Sequence, residues 1–109
     1  MTIYISNAFS LSMLDRELQE WQPRRPKPIK LEFVKKLAAS NNYNLASAIG
    51  HVDTAKLLSG ILGFYLPPNR VNVNLQIGDH LLVAQYVGLR LPEGATTLPE
   101  GATIEWWLV

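Results

Sequence analysis

The chain of 109 residues has no cysteine, which removes disulfides, thiolate zinc sites, iron–sulfur clusters and cysteine nucleophiles together. It is short of charge as well: ten Lys and Arg against nine Asp and Glu leave a formal +1, and charged residues are 17% of the chain, below the roughly 25% of an average soluble domain. That balance excludes a protein that holds long nucleic acid by electrostatics. Apolar runs stop after a handful of residues, far short of the ~20 needed to cross a bilayer, so no membrane association is expected. The opening MTIYISNAFS has neither a basic n-region nor a long apolar core. We therefore expect no signal peptide and a cytoplasmic location, the host cytoplasm if the source is viral. Walker, GxGxxG, HExxH and serine-elbow motifs are missing too. The two histidines, His51 and His80, have no partner at metal-ligand spacing on a helix face, so neither a metal nor a cofactor is expected.

What is present is an apolar fraction of 48%, enough for one core, and a single domain spanning residues 1–109 is the expectation. Ile3, Tyr4 and Ile5 predict a strand over Thr2–Ser6 that stops at Asn7. Ser10 predicts a capped helical turn running through Met13 and Leu14 towards Leu18 and ending before Trp21. The prolines of QPRRPKP, residues 22–28, predict an exposed loop. Lys30–Lys36 has a partial period of two and reads as a strand, while Leu45–Ile49 reads as strand or turn. Asp53 stands as the N-cap of a helix with the stripe Leu57, Leu58, Ile61 and Leu62, closed by Gly63. Val71, Val73 and Leu75 alternate with asparagines and, with Gly78–Asp79 as the turn, pair with His80–Val87 in a predicted hairpin. Ile104–Val109, with Trp106 and Trp107, is a strongly apolar strand that needs cover from its own core or from a partner. Between the last two strands LPEGAT occurs twice. Two copies are too few for a solenoid, so this is a loop with duplicated turn chemistry. The pattern gives an α/β domain with a mixed sheet flanked by helices.

Few residues are placed for chemistry. His51 precedes a helix start, where free amides favour anions, so a phosphate can lie there with His51 as acid or base; equally, His51 can serve only to cap the turn. His80 reads as a surface residue. Arg90 and Glu93 lie in a loop with glycines on both sides that can close over a ligand, or are solvated loop charges. Arg70 carries the same two readings, phosphate contact or solvated loop charge, and the basic run Arg24, Arg25, Lys27, Lys30 can bind RNA or an acidic partner or simply solubilise its loop.

Four segments in order, YISNAFSLSML, AIGH before a helix, NRVNVNL before a strand with Gln85, and RLPEG, together resemble the viral ring nucleases, the type III anti-CRISPR enzymes, and their cellular relatives. The resemblance covers Tyr4 to Gly94. It implies a two-fold homodimer that binds cyclic tetra-adenylate and cuts it without metal into linear di-adenylates, switching off type III CRISPR signalling. On this sequence it implies His51 as general acid with Arg90 and Glu93 as the catalytic loop residues. Asn7, Ala8, Phe9 and Ser10 would cradle the ring, with Arg70 and Gln85 as further contacts. The chain departs from the family's pattern at Val87, Gly88 and Leu89, where one residue is extra, and after Glu93, where ATTLPEGAT replaces a helix. Two other classes stand beside this one: a non-catalytic sensor of cyclic oligonucleotides, and a protein-interaction module using the Trp106–Trp107 strand.

Overall fold

The computed structural model describes residues 1–109. Strands β1 (Thr2–Ser6), β2 (Lys27–Ile29), β3 (Asn44–Ser47), β4 (His80–Val87) and β5 (Thr103–Leu108) form one mixed sheet in the order β2-β5-β4-β1-β3. β1 lies between β3 and β4, parallel to both, while β5 is antiparallel to β4 and to β2. Helices α1 (Arg16–Trp21), α2 (Leu31–Ala38) and α3 (Val52–Leu62) complete an α/β domain.

The period of two along the strands sorts side chains onto two faces. Ile3, Ile5, Leu82, Ala84 and Trp106 form one core with Val34 of α2 and Leu57, Leu58 and Leu62 of α3. Leu81, Val83 and Val109 form the other with Leu14, Leu18, Val73 and Leu75. Burying each large aliphatic side chain contributes about 1.5–3 kcal/mol, so α3, with three such leucines, is the most firmly seated helix. Trp106 is buried in the first core. The apolar ending is thus covered by the chain itself, with β2 on one side of it and β4 on the other.

Several expectations need correction. Lys30–Lys36 is not a strand but most of α2. Leu31, Val34 and Leu37 recur every third residue, a helical stripe that fixes one face on the core, and Val34 is fully buried there. The 22–28 stretch is not loop throughout, because Lys27 and Pro28 enter β2. Proline is admitted since β2 is an edge strand whose outer side needs no donor. The predicted hairpin is absent: Val73 and Leu75 point inward as the alternation implies, yet the segment forms only a bridge from Leu75 to Leu14, and β4 pairs with β1 and β5 instead. The helical turn capped by Ser10 stops at Met13, and a second helix, capped by Asp15, includes Trp21. Asp53 is not the N-cap of α3; His51 is.

The 104–109 strand, the 80–87 strand and the opening strand are as expected. The duplicated LPEGAT copies fold alike: Ala95 N–H donates to Pro92 O at 3.1 Å and Ala102 N–H to Pro99 O at 3.1 Å, with Gly94 and Gly101 at φ 78° and 79°. Those left-handed values suit glycine.

Candidate functional site

The parallel strands β1 and β3 end side by side, in register Ile5 with Ser47. Open α/β sheets bind ligands beyond such C-terminal ends. Ser6 and Ser47 finish these strands and are the buried polar residues of the chain. Each hydroxyl accepts an N–H two residues on, Ala8 for Ser6 and Ile49 for Ser47, both at 3.3 Å. This is the turn chemistry by which a serine re-aims the backbone. The same device thus launches the Asn7–Ser10 segment from one strand and the Ile49–His51 segment from the next.

Asn69 braces the second launch. Its Nδ2 donates to Ser47 O at 2.9 Å and its backbone N–H to Ile49 O at 2.7 Å. That bracing sets Arg70 over Gly50, where a Cβ would come within 3.3 Å of the Arg70 Nε. His51 follows, and its Nδ1 accepts the Asp53 N–H at 3.3 Å, capping α3. An amide can only donate, so this bond leaves Nδ1 unprotonated and places the ring proton on Nε2.

The other wall comes from the segment after β4. Gly88, at φ 147°, packs so closely on Ala102 that a Cβ would lie 3.1 Å from the alanine Cβ. Only glycine fits there without a shift. The Tyr86 hydroxyl donates to Leu89 O, so the base of the loop is pinned rather than hinged. Arg90 and Glu93 lie beyond the pin, both exposed.

The arrangement brings His51, Arg90 and Glu93 together as lining of one cleft of about 540 Å³, which Asp53 and Thr54 also line. Asn7, Ala8, Phe9 and Gln85 line a second hollow of about 350 Å³ with Pro26 and Trp107. Gln85 reaches it because β4 runs past the end of β1, which stops opposite Val83. A small cavity of about 140 Å³ has Asn7 in common with the hollow and Thr54 and Leu91 in common with the cleft. Ser10 caps the turn after β1 through Ser12 N–H at 3.4 Å and Arg70 sits over Gly50; neither borders the cleft or the hollow. Ser6, Ser47, Asn69 and Thr54 escaped the sequence reading, which offered Trp107 only as part of a strand for protein interaction. The serines carried a signal, a small hydroxyl closing an apolar strand, whereas Asn69 and Trp107 gain their places only through the tertiary fold.

An α/β domain with a mixed five-stranded sheet and polar side chains gathered at its C-terminal edge is the class these features define. The chain belongs to the STIV B116-like family, whose model matches residues 3–105. It is similar in structure to B116 of Sulfolobus turreted icosahedral virus, with TM-score 0.75 and 26% identity over 99% of this chain and 97% of that one. It is also similar to the uncharacterized protein ORF117 of Acidianus two-tailed virus, 38% identical over 61% of this chain and 56% of the relative. The uncharacterized protein 26 of Sulfolobus islandicus filamentous virus is 38% identical over 62% of this chain and 55% of the relative. The chain thus matches just over half the length of those two viral proteins. No helix is long and apolar enough to cross a membrane.

Proposed function

We propose that this protein is a metal-independent ring nuclease that binds cyclic tetra-adenylate and cleaves it to linear di-adenylates, and so silences type III CRISPR signalling in the cytoplasm. The observation that carries the reading is the cleft: His51, Arg90 and Glu93, up to 42 positions apart in the sequence, line one space, and Asn7, Ala8, Phe9 and Gln85 line a hollow at the same end of the sheet.

The chemistry follows from these side chains. The ribose 2′-hydroxyl gives its proton to solvent water as its oxygen attacks the phosphorus on the adjacent 3′-oxygen, the P–O5′ bond breaks, and a 2′,3′-cyclic phosphate forms. Protonated His51 gives its proton to the departing O5′, Arg90 offsets charge on the phosphorane, and Glu93 orients His51 or Arg90. Such a role conflicts with the cap. Protonating Nδ1 ends its acceptance of the Asp53 N–H, and a phosphate oxygen arriving at the α3 N-terminus replaces it as acceptor. Ligand binding and arming of the acid are then one event.

A ring of four nucleotides has its own two-fold axis, so two copies of this chain related by a two-fold present identical sites to it. Arg90 and Glu93 line the cleft with His51 of their own chain, and the exposed loop that carries them can instead reach across to the partner's His51. Leu89, 90% exposed beside Arg90, is available for contact across the pair.

The test is incubation with cyclic tri-, tetra- and hexa-adenylate in EDTA and chromatography of the products. Di-adenylates from the tetra-adenylate alone support the reading. An intact ring that nonetheless binds favours the sensor, and no binding of any ring ends both.

A further inference from the structure

The indole Nε1 of Trp107 is the buried side-chain polar atom of the chain without a hydrogen-bond partner. Buried donors are almost always paired, so an orphan calls for an explanation. Trp107 lies on the sheet face opposite Trp106, and it borders the 350 Å³ hollow with Phe9, Pro26 and the carboxamides of Asn7 and Gln85. Aromatic rings and a proline supply flat apolar walls, and a carboxamide offers a donor and an acceptor side by side. Glutamine and asparagine pair in that way with the N6 and N7 edge of adenine.

We propose that this hollow is a purine-base subsite, with Trp107 as the stacking wall and hydrogen-bond donor and Gln85 as the reader of the base edge. The proposal deepens the ring-nuclease reading and rests on it for the source of the base. It adds residues that the family resemblance does not supply: Trp107 and Pro26. Residues 25–26 have neither helix nor strand and lie beyond the anchored Arg24, so a base stacking on Trp107 shifts Pro26 and brings a ribose or phosphate oxygen of its own nucleotide to the in-plane indole N–H. Stacking on an aromatic wall sets the affinity and the carboxamide sets the preference for adenine.

Two-dimensional NMR of the full chain labelled with nitrogen-15 tests this. The protein has three tryptophans, and Trp107→Phe identifies the Trp107 indole signal by its loss. Adenosine 5′-monophosphate, and cyclic tetra-adenylate added to the His51→Asn variant, are expected to shift that signal, and uridine 5′-monophosphate is expected to shift it far less. Calorimetry is expected to show Trp107→Leu weakening the ring about ten- to a hundredfold and Trp107→Phe, which keeps a stacking face, weakening it less. A signal moved by adenosine monophosphate while no ring is cut or bound upholds the subsite and removes the ring-nuclease reading. A ring bound with wild-type affinity by Trp107→Phe and Trp107→Leu, with the indole signal unmoved, overturns the subsite and leaves that reading standing. Movement by neither ligand overturns the proposal.

Discussion

The two ends of the sheet use polar groups in opposite ways. At the end where β4 starts, Asp79 accepts the Thr2 N–H at 2.9 Å and the Gln76 N–H at 3.2 Å. Arg24 donates to Asp79 O at 2.6 Å and Val109 O at 3.3 Å, beside His80 Nδ1 at 3.2 Å. Tyr43 meets the same imidazole edge-on, with ring centroids 5.7 Å apart. Remote parts of the chain are stitched together there, and the polar groups face one another. At the opposite end the hydrogen bonds go into bending the backbone, through Ser6, Ser47 and Asn69. His51, Arg90, Glu93, Gln85 and Asn7 are left exposed around open space.

The two histidines condense this contrast. Arg24 can only donate to His80 Nδ1, which favours the neutral ring, while Val109 O at 3.3 Å from the same nitrogen can only accept and favours a proton there. Burial first, and the Arg24 charge second, lower its pKa. His51 is exposed and bonded only to one amide. A polar end that satisfies itself serves stability; one that leaves its groups open is free to meet a ligand.

The largest expected effect breaks the open end. Glu93→Ala and Arg90→Ala are each expected to cut ring cleavage by about 10²-fold or more while the melting temperature holds. Mixing inactive Glu93→Ala with inactive His51→Ala restores activity if the groups act in trans, because exchanged dimers contain one intact site. Recovery measured after subunit exchange, with exchange confirmed by mass, checks this; no recovery removes the trans arrangement.

A smaller effect concerns the pin under the loop. Gly88→Val places a branched side chain at φ 147° and against Ala102, at an expected cost of about 1–3 kcal/mol. Denaturant unfolding gives the stability change. The loss of cleavage is expected to exceed the stability change, since the loop carrying Arg90 is displaced.

The smallest effect probes the stitched end. A histidine whose folded pKa lies below its unfolded value stabilises the fold fully above the unfolded pKa, and this contribution is lost as pH falls towards the folded one. With the ordinary value at 6.5, the melting temperature is expected to decline as pH drops below it. His80→Gln, which keeps an acceptor but does not titrate, is expected to flatten that decline. Identical pH profiles for both proteins would contradict the assignment.

Much of the fold was legible because burial is periodic. The apolar alternation in β1 and β4 and the α3 leucines needed no tertiary information. Elsewhere periodicity was ambiguous or partnerless. Lys30–Lys36 supports two periods, and only the core beneath Val34 decides for the helix. Val73 and Leu75 alternate correctly, but alternation reports burial and not a pairing strand. His80 looked like surface because its neighbours in sequence are Gly78 and Asp79, while the residue that encloses it, Arg24, lies 56 positions away. Asp53 as N-cap was defeated by the residue two before it. Of the residues singled out in the sequence, His51, Arg90 and Glu93 do line one cleft, whereas Trp107 borders the hollow only because β5 settled next to β4.

The central claim, that His51 is a capping residue able to turn acid when a phosphate arrives, is tested most directly by His51→Asn. Asparagine caps a helix as well as any residue but has no proton to give. Single-turnover cleavage of cyclic tetra-adenylate in EDTA, measured with ring affinity and melting temperature, is predicted to fall by about 10²–10⁴-fold with the other two unchanged. Cleavage at the wild-type rate would show that His51 only caps α3 and would contradict the account.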